Sequence, residues 1–288
     1  MRAMWEACRP LNMLMALLAT LVGAVLGGGA PALAGPWPWL AALSTVTALA
    51  AGNVWNDVAD AREDAINRPR RPIPSGRLTA RNARLGANAL AGVALALAIP
   101  LGPWAIAWVA LCLAMLAWYA WRGKQLGLAG NVAVAALGMA AVGLGTLAAH
   151  LAAPLGAHPA RALVPAVMAG ILHLARELAK DAEDREGDAA AGRRSLVIRH
   201  GLHATRRLLC QLAVLAVVPP LLALLLANEA APLRGAHLAA LFVAPLLLRR
   251  VLATDLSQAE ASRRLSGHIK TLLAGGLLLY VLAALWAA

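Results

Sequence analysis

The chain has 288 residues and a formal net charge of +12, with 61% hydrophobic residues against 14% charged. That balance excludes an ordinary soluble domain, which is about half apolar and a quarter charged. Cys8, Cys112 and Cys210 are odd in number and scattered, which excludes a disulfide framework and a cysteine metal cluster.

In chain order, long apolar runs predict nine membrane-spanning helices. They lie at roughly 11–30, 37–56, 85–101, 103–121, 127–149, 162–180, 208–227, 234–250 and 269–287. The first run is longer than the apolar part of a signal peptide and no cleavage site follows it, so it reads as a span. Gly27-Gly28-Gly29, Pro36 with Pro38, Pro100-Leu-Gly-Pro103, Pro154 to Pro159, and Pro232 mark turns between spans. Pro219-Pro220 lies within the seventh span and predicts a kink there. Trp37, Trp39 and Trp104 read as interface anchors on the outer side. Gly143-Leu-Gly145 lies in an apolar span and reads as helix packing rather than a dinucleotide turn.

With the N-terminus in the cytoplasm, 24 of the 26 Lys and Arg fall on the cytoplasmic side, and only Arg161 and Arg234 on the other. This positive-inside asymmetry explains the basic charge as an orientation signal, with anionic lipid headgroups as partners and no nucleic acid. His200, His203, Arg249, Arg250, Arg263 and Arg264 read as part of that solvated, orienting charge.

The acids are distributed differently. Ten of the 14 fall in two segments, Asp57 to Asp64 and Glu177 to Asp188. Both carry the spacing DxxDxxxD, and Asp181, Asp184 and Asp188 each lie 124 residues after Asp57, Asp60 and Asp64. Each segment follows an even-numbered span and is followed by arginines: Arg68, Arg70, Arg71 and Arg77, then Arg193, Arg194 and Arg199. The pattern is an internal repeat whose halves each supply half a site. On a helical wheel, Asn53, Asn56, Asp57, Asp60 and Asp64 share an arc of roughly 100°. His173, Glu177, Asp181, Asp184 and Asp188 share one of roughly 80°. Two helices carrying a polar stripe out of the membrane are therefore expected.

Carboxylates alone repel a phosphate. Magnesium resolves the conflict, since it takes one or two carboxylates together with substrate phosphate oxygens. Two such clusters face to face suit a magnesium–diphosphate site, with the arginines and Lys124 available to the remaining phosphate oxygens.

At these residues the sequence resembles the UbiA-type intramembrane prenyltransferases, with NDxxDxxxD after the second helix and a second DxxDxxxD after the sixth. The run Asn56-Asp57 to Asp64, then Asn67-Arg68-Pro69 to Gly76-Arg77, looks most like the branch that makes digeranylgeranylglyceryl phosphate, as does Arg176-Glu177 to Asp188. The resemblance implies an all-α integral membrane fold. It is a single domain of nine transmembrane helices in two pseudo-repeat halves, with a cytoplasmic-side active site on loops at about 57–84 and 181–207. The expected location is the inner (plasma) membrane.

The implied reaction is magnesium-dependent transfer of a polyprenyl group from a prenyl diphosphate to a lipophilic acceptor. Asp57, Asp60, Asp64, Asp181, Asp184 and Asp188 are implied to hold metal. Asn53 and Asn56 are implied to bind metal water or diphosphate oxygen, and Arg68, Arg71 and Lys124 the diphosphate. Tyr119 opens the loop that carries the lysine. Asn12, His173, Arg176, Glu177 and Lys180 are acceptor-side or supporting candidates. The acceptor is a prenylglyceryl phosphate or an aromatic ring such as a quinone precursor. A terpene cyclase on the same scaffold, and a transporter with a repeat-based site, are the competing readings. The transporter is disfavoured because such sites lie near the bilayer midplane, whereas these acids lie at helix ends.

Overall fold

The structure, a computed structural model, describes residues 1–152, 158–190 and 192–287, with the backbone alone at 66 and 67. It is all-helical, with no strand among the described residues. The helices are α1 Arg2–Cys8, α2 Pro10–Gly28, α3 Trp37–Ala59, α4 Ala61–Asn67, α5 Ala80–Ala98, α6 Pro103–Trp121, α7 Leu128–Ala152, α8 Leu163–Glu183, α9 Arg185–Ala190, α10 Leu196–Leu215, α11 Val218–Leu226, α12 Ala231–Ala240, α13 Val243–Ala253 and α14 Ala259–Trp286.

Among the described residues, eight helical stretches are long and apolar enough to cross a membrane. The sequence predicts nine. The difference is α3, whose 23 residues suffice for a crossing of about 30 Å. Ser44, Thr45, Thr47, Asn53 and Asn56 dilute its hydropathy. The stretch Leu196–Leu226 is longer than the predicted seventh span. It breaks between α10 and α11 just ahead of Pro219-Pro220, which occupy the first turn of α11 where missing N–H groups cost nothing. The turn read at Pro154 to Pro159 lies mostly outside the described residues.

Large apolar side chains such as Leu225, Leu226, Phe242 and Leu111 are exposed around the bundle. A soluble protein does not leave so much apolar surface bare, but a lipid-facing surface does. Trp39 and Trp104 are exposed as well, and the Trp39 indole donates to the Leu33 carbonyl at 3.0 Å.

Two apolar clusters fill the interior. One joins α8 and α10 to α14 with α2; the other joins α1, α3, α5 and α6 with the far side of α7. The helices α2 and α7 thus form the seam. Their approach is reciprocal: a Cβ on Gly23 would strike the Val142 carbonyl, and one on Gly145 would strike the Thr20 carbonyl. Between lipid-embedded helices, contact of this kind replaces the hydrophobic effect as the source of association. Thr146 adds a hydroxyl donated to the carbonyls of Val142, at 3.1 Å, and Gly23, at 3.3 Å.

Candidate active site

The polar stripes run as expected down α3 and α8, but neither stays on one helix. Both helices break at the second aspartate of the motif. Asp60 has φ −86° and ψ 3°, and Asp184 has φ −89° and ψ 8°. These are matching excursions into the sparsely populated bridge region, 124 residues apart. The expected continuous helix is corrected to a kink. The backbone ladder survives it: Asp60 and Asp64 still donate to Asn56 and Asp60, as Asp184 and Asp188 donate to Lys180 and Asp184. The bend turns α4 and α9 so that Asp64 and Asp188 are buried rather than solvated.

The predicted residues converge on one cavity of about 760 Å³. Its wall carries Asn12, Asn53, Asn56, Asp60, Asp64, Arg68, Arg71, Tyr119, Lys124, His173, Arg176, Glu177, Lys180, Asp181, Asp184 and Asp188. Asp57 lies behind that wall, 4% exposed, held by Arg9 at 2.6 Å and Arg71 at 3.4 Å. Arg71 also reaches Asp64 at 2.6 Å. Apolar side chains, among them Leu49, Val109, Leu116, Leu137, Leu144 and Leu277, line the rest of the space.

Ion pairs cross between the halves. Arg68, which follows the first motif, donates to Asp184 of the second at 3.1 Å. Arg193, which follows the second motif, donates to Asp60 of the first at 3.2 Å, pairs with Glu63, and holds Asp188 of its own half at 3.0 Å. Lys124 pairs with Asp60 and lies 5.6 Å from the centre of the Tyr119 ring. Asp181 accepts from the Asn131 amide at 2.8 Å. Glu177 is 4% exposed and accepts from Lys180 at 2.8 Å, Arg176 at 3.1 Å and the Tyr119 hydroxyl at 3.4 Å.

Burial governs proton affinity where these groups leave the membrane. It pushes the Asp188 carboxyl up to about 6 although Arg193 opposes the shift. It raises Asp64 against the pull of Arg71, and lowers Lys124 against that of Asp60. Carboxylates so poorly solvated gain from any further positive charge.

The donor set fits a hard divalent cation. The Asn56 amide oxygen is buried and has no hydrogen-bond partner among the described residues. Such an orphan oxygen beside carboxylates suits a metal or its water. Among the described residues no three carboxylate, His or Cys groups form a ready-made metal cage.

Arg9, Glu63, Glu183 and Lys270 line the cavity without a role assigned from sequence, Arg193 was read there only as one of the arginines after the second motif, and Asn131 reaches Asp181 from outside the cavity lining. Arg9 sits between α1 and α2 at φ 57°, a left-handed conformation uncommon outside glycine. It carries the contact to Asp57. One signal was available for Lys270. The chain has 23 arginines and only three lysines, and all three lysines, Lys124, Lys180 and Lys270, line the cavity.

Comparison with known proteins agrees with this geometry. Residues 16–273 match the UbiA prenyltransferase family. The chain is 39% identical over 222 residues to the digeranylgeranylglyceryl phosphate synthase of Methanopyrus kandleri, covering 77% of this chain and 78% of that protein. It is 34% identical over 229 residues to the synthase of Ignicoccus hospitalis, covering 78% and 74%. The fold matches a UbiA homologue from Archaeoglobus fulgidus bound to GPP and Mg²⁺ with a TM-score of 0.74 at 16% identity, over 98% of this chain and 99% of that one. It matches a structure described with the biosynthesis of digeranylgeranylglyceryl phosphate synthase in membranes with a TM-score of 0.73 at 23% identity, over 99% and 98%. A bundle of membrane-length helices, a cavity closed at its polar end by two matched aspartate motifs, and this likeness along most of the chain have one reading: the chain belongs to the UbiA prenyltransferase family and is a prenyltransferase.

Proposed function

We propose that the protein transfers a prenyl group from a prenyl diphosphate to the free hydroxyl of a prenylglyceryl phosphate, forming an ether lipid and releasing diphosphate. The observation that carries this reading is the cavity itself. Its polar end holds both aspartate motifs bridged by Arg68 and Arg193, and its long apolar remainder suits an isoprenoid chain. Likeness to the digeranylgeranylglyceryl phosphate synthases supports this acceptor over an aromatic one.

Asp60, Asp64, Asp181, Asp184 and Asp188 on the cavity wall, and Asp57 just behind it once Arg9 and Arg71 give way, would hold magnesium, with Asn53 and Asn56 beside them. Bound magnesium supplies positive charge to the departing diphosphate. Arg68, Arg71, Lys124 and Arg193 exchange their carboxylate partners for phosphate oxygens as substrate enters. The bond from the allylic carbon to the diphosphate oxygen breaks with its electron pair on oxygen, and the acceptor hydroxyl oxygen bonds to that carbon. The apolar wall excludes water from the electron-poor carbon in between.

The hydroxyl proton goes to His173. Its imidazole lines the cavity, its Nδ1 is buried without a partner among the described residues, and the bare Cα of Gly138 leaves room for the ring. A His173→Gln variant loses ether formation by about a hundredfold or more while diphosphate release into water, measured without acceptor, continues. Equal loss of both would remove His173 from the acceptor side.

In this proposal α3 is a ninth crossing, the whole chain is one domain, and the N-terminus and both motifs face the cytoplasm at the inner membrane. The partition of 24 of 26 basic residues to that side supports the orientation. The test is incubation of purified protein with geranylgeranyl diphosphate, magnesium and a panel of acceptors, followed by mass spectrometry. Ether product from the prenylglyceryl phosphate, abolished by EDTA and restored by magnesium, is expected. Cyclised hydrocarbon without acceptor, or product only from an aromatic acid, would replace this reading by a cyclase or an aromatic prenyltransferase.

A further inference from the structure

Most cations of the cavity already hold a carboxylate, and Arg263, read from sequence as an orienting charge, is one of them, donating to Glu183 at 2.9 Å. Arg9, Arg68, Arg71, Lys124 and Arg193 each pair with an aspartate of the motifs. Lys270, on α14, is different. It has no carboxylate partner among the described residues, and its ammonium donates only to the neutral Asn12 side chain, at 2.8 Å. Arg176 meets Glu177 through a single guanidinium nitrogen at 3.1 Å, and its other donors meet no acceptor among the described residues.

Arg176 and Lys180 share the carboxylate of Glu177, and Lys270 adds to the same cavity wall a cation with no carboxylate partner among the described residues, so positive charge is in excess here. A phosphomonoester carries about −1.5 to −2 at neutral pH. We propose that Lys270, Asn12 and Arg176 form the binding corner for the phosphate of the acceptor, apart from the site that takes the diphosphate. This rests on the proposed reaction and assigns its second anion.

The charge pattern separates the two anions. The diphosphate end is rich in carboxylates and accepts phosphate only together with metal. The Lys270 corner has surplus cation and accepts phosphate without metal. A lysine suits this role because its ammonium is a compact charge that turns three donors toward an anion of any orientation.

The same helices provide for the acceptor's chain. A second crevice of about 220 Å³ lies between α8, α12, α13 and α14, and shares Ala169, Leu273 and Leu277 with the main cavity. Leu273 and Leu277 follow Lys270 by one and two turns of α14. A phosphate held at Lys270 therefore sits at the head of an apolar path separate from the side lined by Leu49, Val109 and Leu116. Gly276 lines that path, and a Cβ added there meets nothing within 4 Å.

The test compares a prenylglyceryl phosphate with the corresponding unphosphorylated prenylglycerol, using full-length protein, geranylgeranyl diphosphate and magnesium. Lys270→Met is expected to raise KM for the phosphorylated acceptor about ten- to a hundredfold, as befits a lost charge-assisted contact. KM for geranylgeranyl diphosphate should stay within about twofold, and Lys270→Arg should recover most of the loss. The unphosphorylated acceptor should be used equally by wild type and Lys270→Met. An unchanged KM for the phosphorylated acceptor, or an equal rise for both acceptors, overturns the assignment while leaving the proposed reaction intact. Wild-type protein that ignores every glyceryl phosphate and prenylates an aromatic acid overturns both.

Discussion

Replacing Asp57 and Asp181 together by asparagine is expected to lower kcat by about a thousandfold or more, since in the proposed mechanism each carries charge to the metal and diphosphate end of the cavity. Asparagine keeps the size of the side chain and can still accept a hydrogen bond, so the change is one of charge. The two positions occupy the same place in each motif; Asp57 is buried and Asp181 half-buried on the cavity wall. Asp57 anchors Arg9 and Arg71, and Asp181 is fixed by Asn131. Steady-state rates of diphosphate release and ether formation should fall together, and raising magnesium should recover little. As a control, Asp255→Asn, on an exposed turn bonded to Ser257, should keep full activity. Retained turnover in the double variant would remove the aspartate motifs from the chemistry.

Arg193→Met is expected to destabilise the protein by about 2–4 kcal/mol, because it strips one cation from three carboxylates at once. Asp60, Glu63 and Asp188 all depend on it, and Asp188 is already pushed up to about 6 by burial. The readout is the thermal midpoint in detergent, with and without magnesium. Magnesium replaces the missing charge, so it should raise the midpoint of the variant more than that of the wild type. An equal rise in both would mean that Arg193 does not stand where the metal's charge is needed.

Much of the site was legible because its signal is local. Aspartates spaced by three and four residues must share a helix face, and their recurrence 124 residues later could be counted. The spans were legible from apolar length, and eight of the nine predicted are helices long and apolar enough to cross, the exception being the run at 37–56, which is α3. The breaks at Asp60 and Asp184 were not legible. Nothing in Val-Ala-Asp60-Ala or Ala-Glu-Asp184-Arg disfavours a helix, and tertiary contacts set those dihedrals. The crosswise reach of Arg68 and Arg193 was hidden for a similar reason. Sequence places each arginine beside its own motif, whereas the bundle brings it to the other. Lys270 was read past because it begins an apolar span, where its rarity among arginines was the available clue.

The crosswise pairs carry a consequence for how the chain varies. Arg68 meets Asp184 and Arg193 meets Asp60, and at the seam Gly23 meets Val142 while Gly145 meets Thr20. Contacts exchanged in this way are what a two-fold axis imposes on a pair of identical subunits. One chain here holds the interface of a homodimer. Because each half completes the other's ion pairs, a change at Asp60 has to be answered at Arg193, in the opposite repeat. The two polar faces thus form one surface to which each half contributes part of every crossing pair.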